Sequence, residues 1–364
     1  MKRRILILQD HLRGGGTERQ SIHLTRALID HGWDAKLIVG YSGGRLDPRA
    51  HEALENQVNF CGRSKKPLSS LHTLQQLNTI IAPKPTTVIA MGRWANCLLG
   101  FLRPKPTTQT IATVRTSRRL PYLYRRSIRR ADAVLANSHW ALKSALRASK
   151  RSEDSTTAAI HNALSRPELL LIDPSDKTLA KRAIGHEPTQ KLLLSVARMD
   201  RGKGQGDLIR LMARPSAHNR KLILLGEGPE SKHLQALAHS LGVGQHVHFT
   251  GFCENSRAYY AAADLFVSAS ALDSLPNALI EAQAAALPII AYPTAGIPEI
   301  IDDGQTGHLV EQGDIASMHQ QVEHLLNHSS NAPAIGRAAR QSAIDKFNPH
   351  QQIEATIDFI EKLQ

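Results

Sequence analysis

Asp273 and Glu281 stand eight residues apart in the stretch 271–301, ALDSLPNALIEAQAAALPIIAYPTAGIPEII, with Ser274-Leu275-Pro276-Asn277 between them. Proline suits the first turn of a helix, where its missing N–H costs nothing. Ser274, two residues before it, is a good N-cap. The pattern predicts a helix over 277–286 whose amide groups and positive dipole end form an anion site. Glu281 then lies one turn inside that helix and Asp273 in the loop outside it. A second turn, Thr294-Ala295-Gly296-Ile297-Pro298-Glu299, repeats the design after an apolar strand at 287–291. Two helix mouths flanked by carboxylates suit a ligand with phosphates and several hydroxyls, such as a nucleotide sugar. Upstream, Arg198 and Lys203 lie five apart in SVARMDRGKG, after a predicted strand and before a helix. Ligands of α/β sheets bind at such strand ends. An arginine fork and a lysine point charge aimed together suit a diphosphate leaving group.

The segment around Asp273 and Glu281 resembles the glutamate-x7-glutamate signature of retaining glycosyltransferases with the GT-B fold, most closely glycosyltransferase family 4. The resemblance covers 190–310 strongly and the first half loosely. It implies two Rossmann-like domains whose parallel sheets face a cleft. The implied chemistry is retaining, hexosyltransferase-type transfer from a nucleotide diphospho-sugar, UDP-sugar favoured, to a hydroxyl of a glycan or lipid-linked acceptor. Cell-surface polysaccharide or lipopolysaccharide synthesis is the implied setting. On this resemblance Arg198, Lys203 and Asp273 serve catalysis, while Glu281 fits the ribose hydroxyls and Ser274, Leu275, Pro276 and Asn277 line the donor. Gly251-Phe252, after a predicted strand at 247–250, resembles the family's nucleobase site, read largely by backbone groups. Gly14-Gly15-Gly16-Thr17-Glu18 resembles its glycine-rich first loop, with Gly15 and Gly16 on the donor side, although a tight strand-to-helix turn needs glycine anyway. No Asp-x-Asp motif is present, so neither a metal nor a cofactor is expected.

Two positions depart from the family pattern. The first signature carboxylate is Asp273 rather than glutamate, which shortens its reach by one methylene. Arg115 stands where many members carry a histidine that touches the donor sugar or the acceptor. An arginine does not exchange a proton near neutral pH, so anion contact is the expected role. Arg93 and Asn96, in Gly92-Arg93-Trp94-Ala95-Asn96, are further acceptor-side candidates. So is His139, which serves equally well as a packed surface residue.

Charge divides the chain. Residues 1–187 carry 31 Lys and Arg against 14 Asp and Glu, a net of +17; residues 188–364 carry 14 against 18, a net of −4. Between Asn56 and Ala131 there are 14 basic residues and no acidic one. So one-sided a field faces a polyanion, and an anionic membrane surface or a phosphorylated acceptor is expected. The stretch lacks interleaved aromatics for base stacking and the second half is acidic, which argues against nucleic acid. A nucleotide-sugar epimerase of the same fold is the other alternative, but the acid/base set it needs is not visible. Three scattered cysteines, Cys61, Cys97 and Cys253, fit a reducing cytoplasm. The opening MKRRILIL resembles a signal peptide, but Gln9-Asp10 cuts the apolar run short. The expected location is the cytoplasm, at the inner face of the membrane.

These residues must be held by alternating strands and helices. Strands are predicted at 4–8, 35–39, 87–91, 110–114 and 133–136, then at 191–196, 221–225, 247–250, 264–268 and 287–291. Helices are predicted at 18–31, from 207, at 231–241 and at 354–363. Such alternation implies parallel sheets with helices on both faces. The expected domains are 1–170 for the acceptor and 171–345 for the nucleotide sugar, with a helix in 346–364 returning toward the first. Prolines 167, 174 and 188 mark 165–189 as the linker.

Overall fold

The computed structural model describes residues 4–55, 57–61, 67–81, 84–102, 107–216, 219–327 and 331–363. Arg63, Lys65, Lys66, Arg103 and Lys105 of the acid-free span lie outside them. The chain divides into two compact units, residues 1–165 with 349–364, and residues 166–348.

The first unit runs β1 (Arg4–Gln9), α1 (Gly16–Asp30), β2 (Ala35–Val39), α2 (Asp47–Leu54), β3 (Val58–Phe60), α3 (Pro67–Ile81), β4 (Thr86–Ala90), α4 (Arg93–Leu99), β5 (Thr108–Val114), α5 (Tyr122–Arg130), β6 (Ala133–Ala136), α6 (His139–Ser149) and β7 (Thr157–Ala159). Its seven strands are parallel in the order β3-β2-β1-β4-β5-β6-β7. β1 and β4 are almost wholly buried, as expected of strands covered by helices on both faces. The order reverses between β1 and β4, which opens a crevice at their carboxyl ends.

The second unit runs α7 (Lys177–Ala183), β8 (Lys191–Val196), α8 (Gln205–Met212), β9 (Arg220–Leu225), α9 (Ser231–Ser240), β10 (Val247–Gly251), α10 (Arg257–Ala262), β11 (Leu265–Ser268), α11 (Asn277–Ala284), β12 (Ile289–Ala291), β13 (His308–Leu309), α12 (Ile315–Asn327) and α13 (Asn331–Lys346). Its six strands are parallel in the order β10-β9-β8-β11-β12-β13, with the switch between β8 and β11. The last helix, α14 (Pro349–Lys362), belongs to the first unit. There Ile353, Phe359 and Ile360 are buried with Ile5, Ile7 and Leu28, and the Gln109 amide donates to the Leu363 carbonyl.

The proline-bearing stretch read as a linker is folded. It holds two short 3-10 turns, Pro167–Leu171 and Pro174–Asp176, followed by α7. Pro167 and Pro174 each sit in a first turn, where they pre-set the helical φ, and Leu169 and Ile172 are buried. Among the described residues no helix is long and apolar enough to cross a membrane.

Candidate functional site

The loop leaving β8 is shaped by close backbone approaches. Gly226, at the end of β9, has φ +140, and a Cβ there would lie 2.1 Å from the Ala197 carbonyl. The Met199 N–H donates to the Glu227 carbonyl at 3.0 Å, and the Gly226 N–H to the Gly251 carbonyl at 2.8 Å. The Gln205 side chain, nearly fully buried, donates to the Arg198 carbonyl at 3.1 Å. Gly204 has φ +72, and a Cβ would meet the Ala269 carbonyl at 1.9 Å. The Ala271 N–H donates to the Gly202 carbonyl at 2.9 Å. The carboxyl ends of β8, β9, β10 and β11 are thereby laced into one surface.

That lacing brings Lys203 and Asp273 together across 70 residues of sequence. The Lys203 ammonium donates to Asp273 Oδ1, and both side chains are half-buried. Arg198 is exposed on the same loop, and no carboxylate among the described residues pairs with it. The cation and carboxylate assigned from the sequence to diphosphate and sugar are thus mutual partners. Any anion that binds Lys203 competes with Asp273 for it.

Glu281 lies one turn inside α11, 6 % exposed. The Tyr260 hydroxyl donates to its Oε2 at 2.9 Å. Tyr260 is itself fully buried and stacks on Phe266 with ring centroids 6.1 Å apart. Sequence reasoning missed Tyr260, because nothing in Arg257-Ala258-Tyr259-Tyr260 shows which tyrosine turns inward. Two details of the expected helix mouths are corrected. α11 starts at Asn277 with Pro276 in the N-cap position, and no side chain caps it. Ser274 is buried two residues before that cap, and extended Pro276 holds its chain away from the first turn. The second mouth is a single 3-10 turn, Ile297–Glu299, because Ala295 takes a left-handed φ of +51 and the chain runs on to β13. Thr294 anchors this turn by donating from Oγ1 to the Ser270 carbonyl at 2.6 Å. At the end of β10, Gly251 takes a left-handed φ of +70 with open space around it, and Phe252 beside it is half-buried.

The other candidates lie in the first unit, where a pocket of about 240 Å³ opens at the β1/β4 switch. Arg93, Arg115, Arg118 and Arg119 line it together with Asp10 and Glu18. Asp10 follows β1 and accepts from the Trp94 and Ala95 N–H groups at 3.0 and 2.8 Å. Gly92 makes room for it, since a Cβ there would fall 2.0 Å from Asp10 Oδ1. Burial raises the Asp10 carboxyl above its ordinary value, and these backbone donors offset part of that rise. Glu18 folds back over the glycine turn, Oε2 accepting from the Gly14 and Gly15 N–H groups. Its Oε1 lies 2.9 Å from His11 Nδ1. Gly15 is the N-cap of α1 and Gly16 its first residue, both exposed.

Arg115 donates from Nη1 to Asn162 Oδ1 at 2.6 Å, while its Nε is buried without a partner. Burial lowers its guanidinium from 12.5 to about 10, so it stays charged at neutral pH. Asn96 belongs to the packing instead. It is fully buried, its amide donates to the Ala90 and Gly92 carbonyls at 2.9 and 2.7 Å, and its Oδ1 accepts from Thr113 N at 3.1 Å. His139 lies outside the pocket lining, exposed at the start of α6 behind the Ser138 cap. Asp10 had one sequence signal, a polar pair ending an apolar strand.

Known proteins resemble this chain in both sequence and fold. Residues 176–342 match the family described as Glycosyl transferases group 1. N-acetyl-alpha-D-glucosaminyl L-malate synthase of Bacillus anthracis is 29% identical over 226 residues, 62% of this chain and 58% of that protein. A GDP-mannose-dependent alpha-(1-6)-phosphatidylinositol monomannoside mannosyltransferase of Mycolicibacterium smegmatis is 32% identical over 167 residues, 43% of this chain and 44% of that one. The chain spans about half the length of the curated relatives it matches. Anabaena HepE, solved in complex with UDP and glucose, superposes with a TM-score of 0.87 at 18% identity, over 99% of this chain and 100% of that one. The two parallel sheets and this likeness give the fold as GT-B. Residues 176–342, a little under half of this chain, are thus similar to the glycosyl transferases group 1 family.

Proposed function

We propose that this chain is a retaining glycosyltransferase that moves a sugar from a UDP-sugar to a hydroxyl of a glycan or lipid-linked acceptor in cell-surface polysaccharide or lipopolysaccharide synthesis. One observation carries the reading. Lys203 and Asp273 form an ion pair on a glycine-laced strand-end surface that also presents Arg198 and the uncapped start of α11. The relatives and the HepE complex with UDP support it by the names they bear. In this reading Arg198 and Lys203 neutralise the charge that develops on the leaving diphosphate, commonly the largest electrostatic contribution in such reactions. The departing phosphate oxygen takes the acceptor proton on the face where the new bond forms. Asp273, released as Lys203 turns to phosphate, accepts from a donor-sugar hydroxyl. Glu281, oriented by Tyr260, accepts from the ribose hydroxyls, and the Gly251-Phe252 backbone reads the base. No metal is required, because two side-chain cations supply the charge.

The test follows UDP release from UDP-glucose alongside thermal stabilisation by UDP, GDP and ADP. Donor binding raises stability by mass action. Absence of stabilisation by every nucleoside diphosphate rejects the reading. Turnover should survive EDTA; complete loss restored by Mn²⁺ rejects metal independence.

A further inference from the structure

The pocket at the β1/β4 switch has more positive charge than its neighbours consume. Arg93, Arg115 and Arg119 line it together with two carboxylates, Asp10 and Glu18, and both carboxylates accept from backbone N–H groups. Among the described residues no carboxylate forms an ion pair with Arg93, Arg115 or Arg119. Arg115 makes one bond, to a neutral amide, and leaves a buried Nε donor unmet. A buried donor without a partner carries its full desolvation cost, and for a charged group that cost is larger. The lowered guanidinium value has the same origin. Arg93 and Arg119 line the same pocket and are exposed. A pocket of about 240 Å³ admits a small group rather than a polymer.

We propose that this pocket grips an oxyanion of the acceptor, a carboxylate or a phosphate monoester, with Arg115 at its floor and Arg93 and Arg119 at its rim. The acceptor is then an acid or a phosphorylated molecule whose hydroxyl receives the sugar. Planar guanidinium forks bind both kinds of oxyanion through paired N–H···O bonds. This rests on the glycosyltransferase reading only for the word acceptor; the anion site stands on the first unit alone.

The test titrates the native chain with inorganic phosphate, succinate and neutral glycerol at constant ionic strength, reading heat of binding and melting temperature. Phosphate or succinate should bind saturably, and glycerol should not. Phosphate without succinate assigns a phosphorylated acceptor, and succinate without phosphate an acid. Arg115→Met should weaken binding about tenfold or more, the loss of a charge-assisted bond. If Arg115→Met unfolds, the rim double variant Arg93→Gln/Arg119→Gln should show the same loss. Arg147→Gln, exposed on α6, should leave anion binding unchanged. Equal binding by the variants, or stabilisation by glycerol equal to that by phosphate, overturns the site. UDP affinity is measured beside these: its absence sinks the donor reading and not the pocket, while anion silence with UDP bound sinks only the pocket.

Discussion

At the residue scale, the Lys203–Asp273 pair makes a prediction that ordinary mutagenesis misreads. Both side chains are half-buried and face one another, so removing either strands the other's charge. Lys203→Ala should lower kcat/KM by about 30- to 1,000-fold, equivalent to about 2–4 kcal/mol of transition-state stabilisation. Arg198→Ala should act similarly without harming the fold, because Arg198 is exposed. Asp273→Asn should lower kcat beyond what its partnership with Lys203 explains. A double-mutant cycle decides this. If the double variant is no worse than Lys203→Ala, Asp273 only positions the lysine and its sugar contact is rejected. Glu281→Gln should raise the donor Kd, and Tyr260→Phe should raise it less, since Tyr260 supplies one bond to Oε2. Unchanged donor Kd in both removes Glu281 from the ribose role.

At the element scale, the site depends on loops pressed backbone to backbone, and one glycine tests that. Gly204 has a left-handed φ, and a Cβ added there would lie 1.9 Å from the Ala269 carbonyl oxygen. Gly204→Ala adds about 1–2 kcal/mol of left-handed strain to about 1–3 kcal/mol of overlap. Gly242 has φ +69 with nothing within 4 Å, so Gly242→Ala carries the strain alone. The melting temperature should fall by roughly 5–15 °C for Gly204→Ala and clearly less for Gly242→Ala; equal falls would show that the loop yields. This contact also marks where legibility stops. The strands β2, β6 and β8 are readable residue for residue, because buried parallel strands are continuous apolar runs. Arg198 and Lys203 are readable as a pair on one strand-end loop. Short β3, β7 and β13 carry too few residues for a pattern. The division between the two units falls at 165/166, within the proline-bearing stretch, yet that stretch is folded, because proline marks a helical first turn as readily as a break. The Ser274 cap failed because the choice between turn residues two apart depends on φ and ψ fixed by packing. Asn96 was misjudged for the same reason, since a polar residue beside a loop can face the carbonyls beneath it. The pairing of Lys203 with Asp273 is a long-range contact that no local spacing encodes.

At the scale of the whole molecule, the net of +17 in residues 1–187 against −4 in the remainder separates two tasks. Anionic surroundings repel a net-negative segment and attract a basic one. The described part of the basic unit offers an exposed surface on which such docking can be tested. On α5, Tyr122 is 68% exposed, Leu123 is 38% exposed and Arg126 lies over the Phe101 ring at 5.6 Å. α6 packs beside it and exposes Trp140, Lys143 and Arg147. Scattered aromatics with many cations suit attachment that is electrostatic first and apolar second. Each Lys or Arg near an anionic surface contributes about 1 kcal/mol. Replacing Arg126, Arg130, Lys143 and Arg147 with Ser should therefore weaken binding to anionic vesicles by on the order of a thousandfold. Native binding should also fall steeply between low and high salt, since the Debye length shrinks from about 30 Å at 0.01 M to about 3 Å at 1 M. UDP affinity should stay constant across the same variants, because the proposed nucleotide site belongs to the second unit. Vesicle co-sedimentation measures it. Equal binding to neutral and anionic vesicles, or binding indifferent to salt, would reject docking on an anionic membrane and leave the basic field to an anionic acceptor.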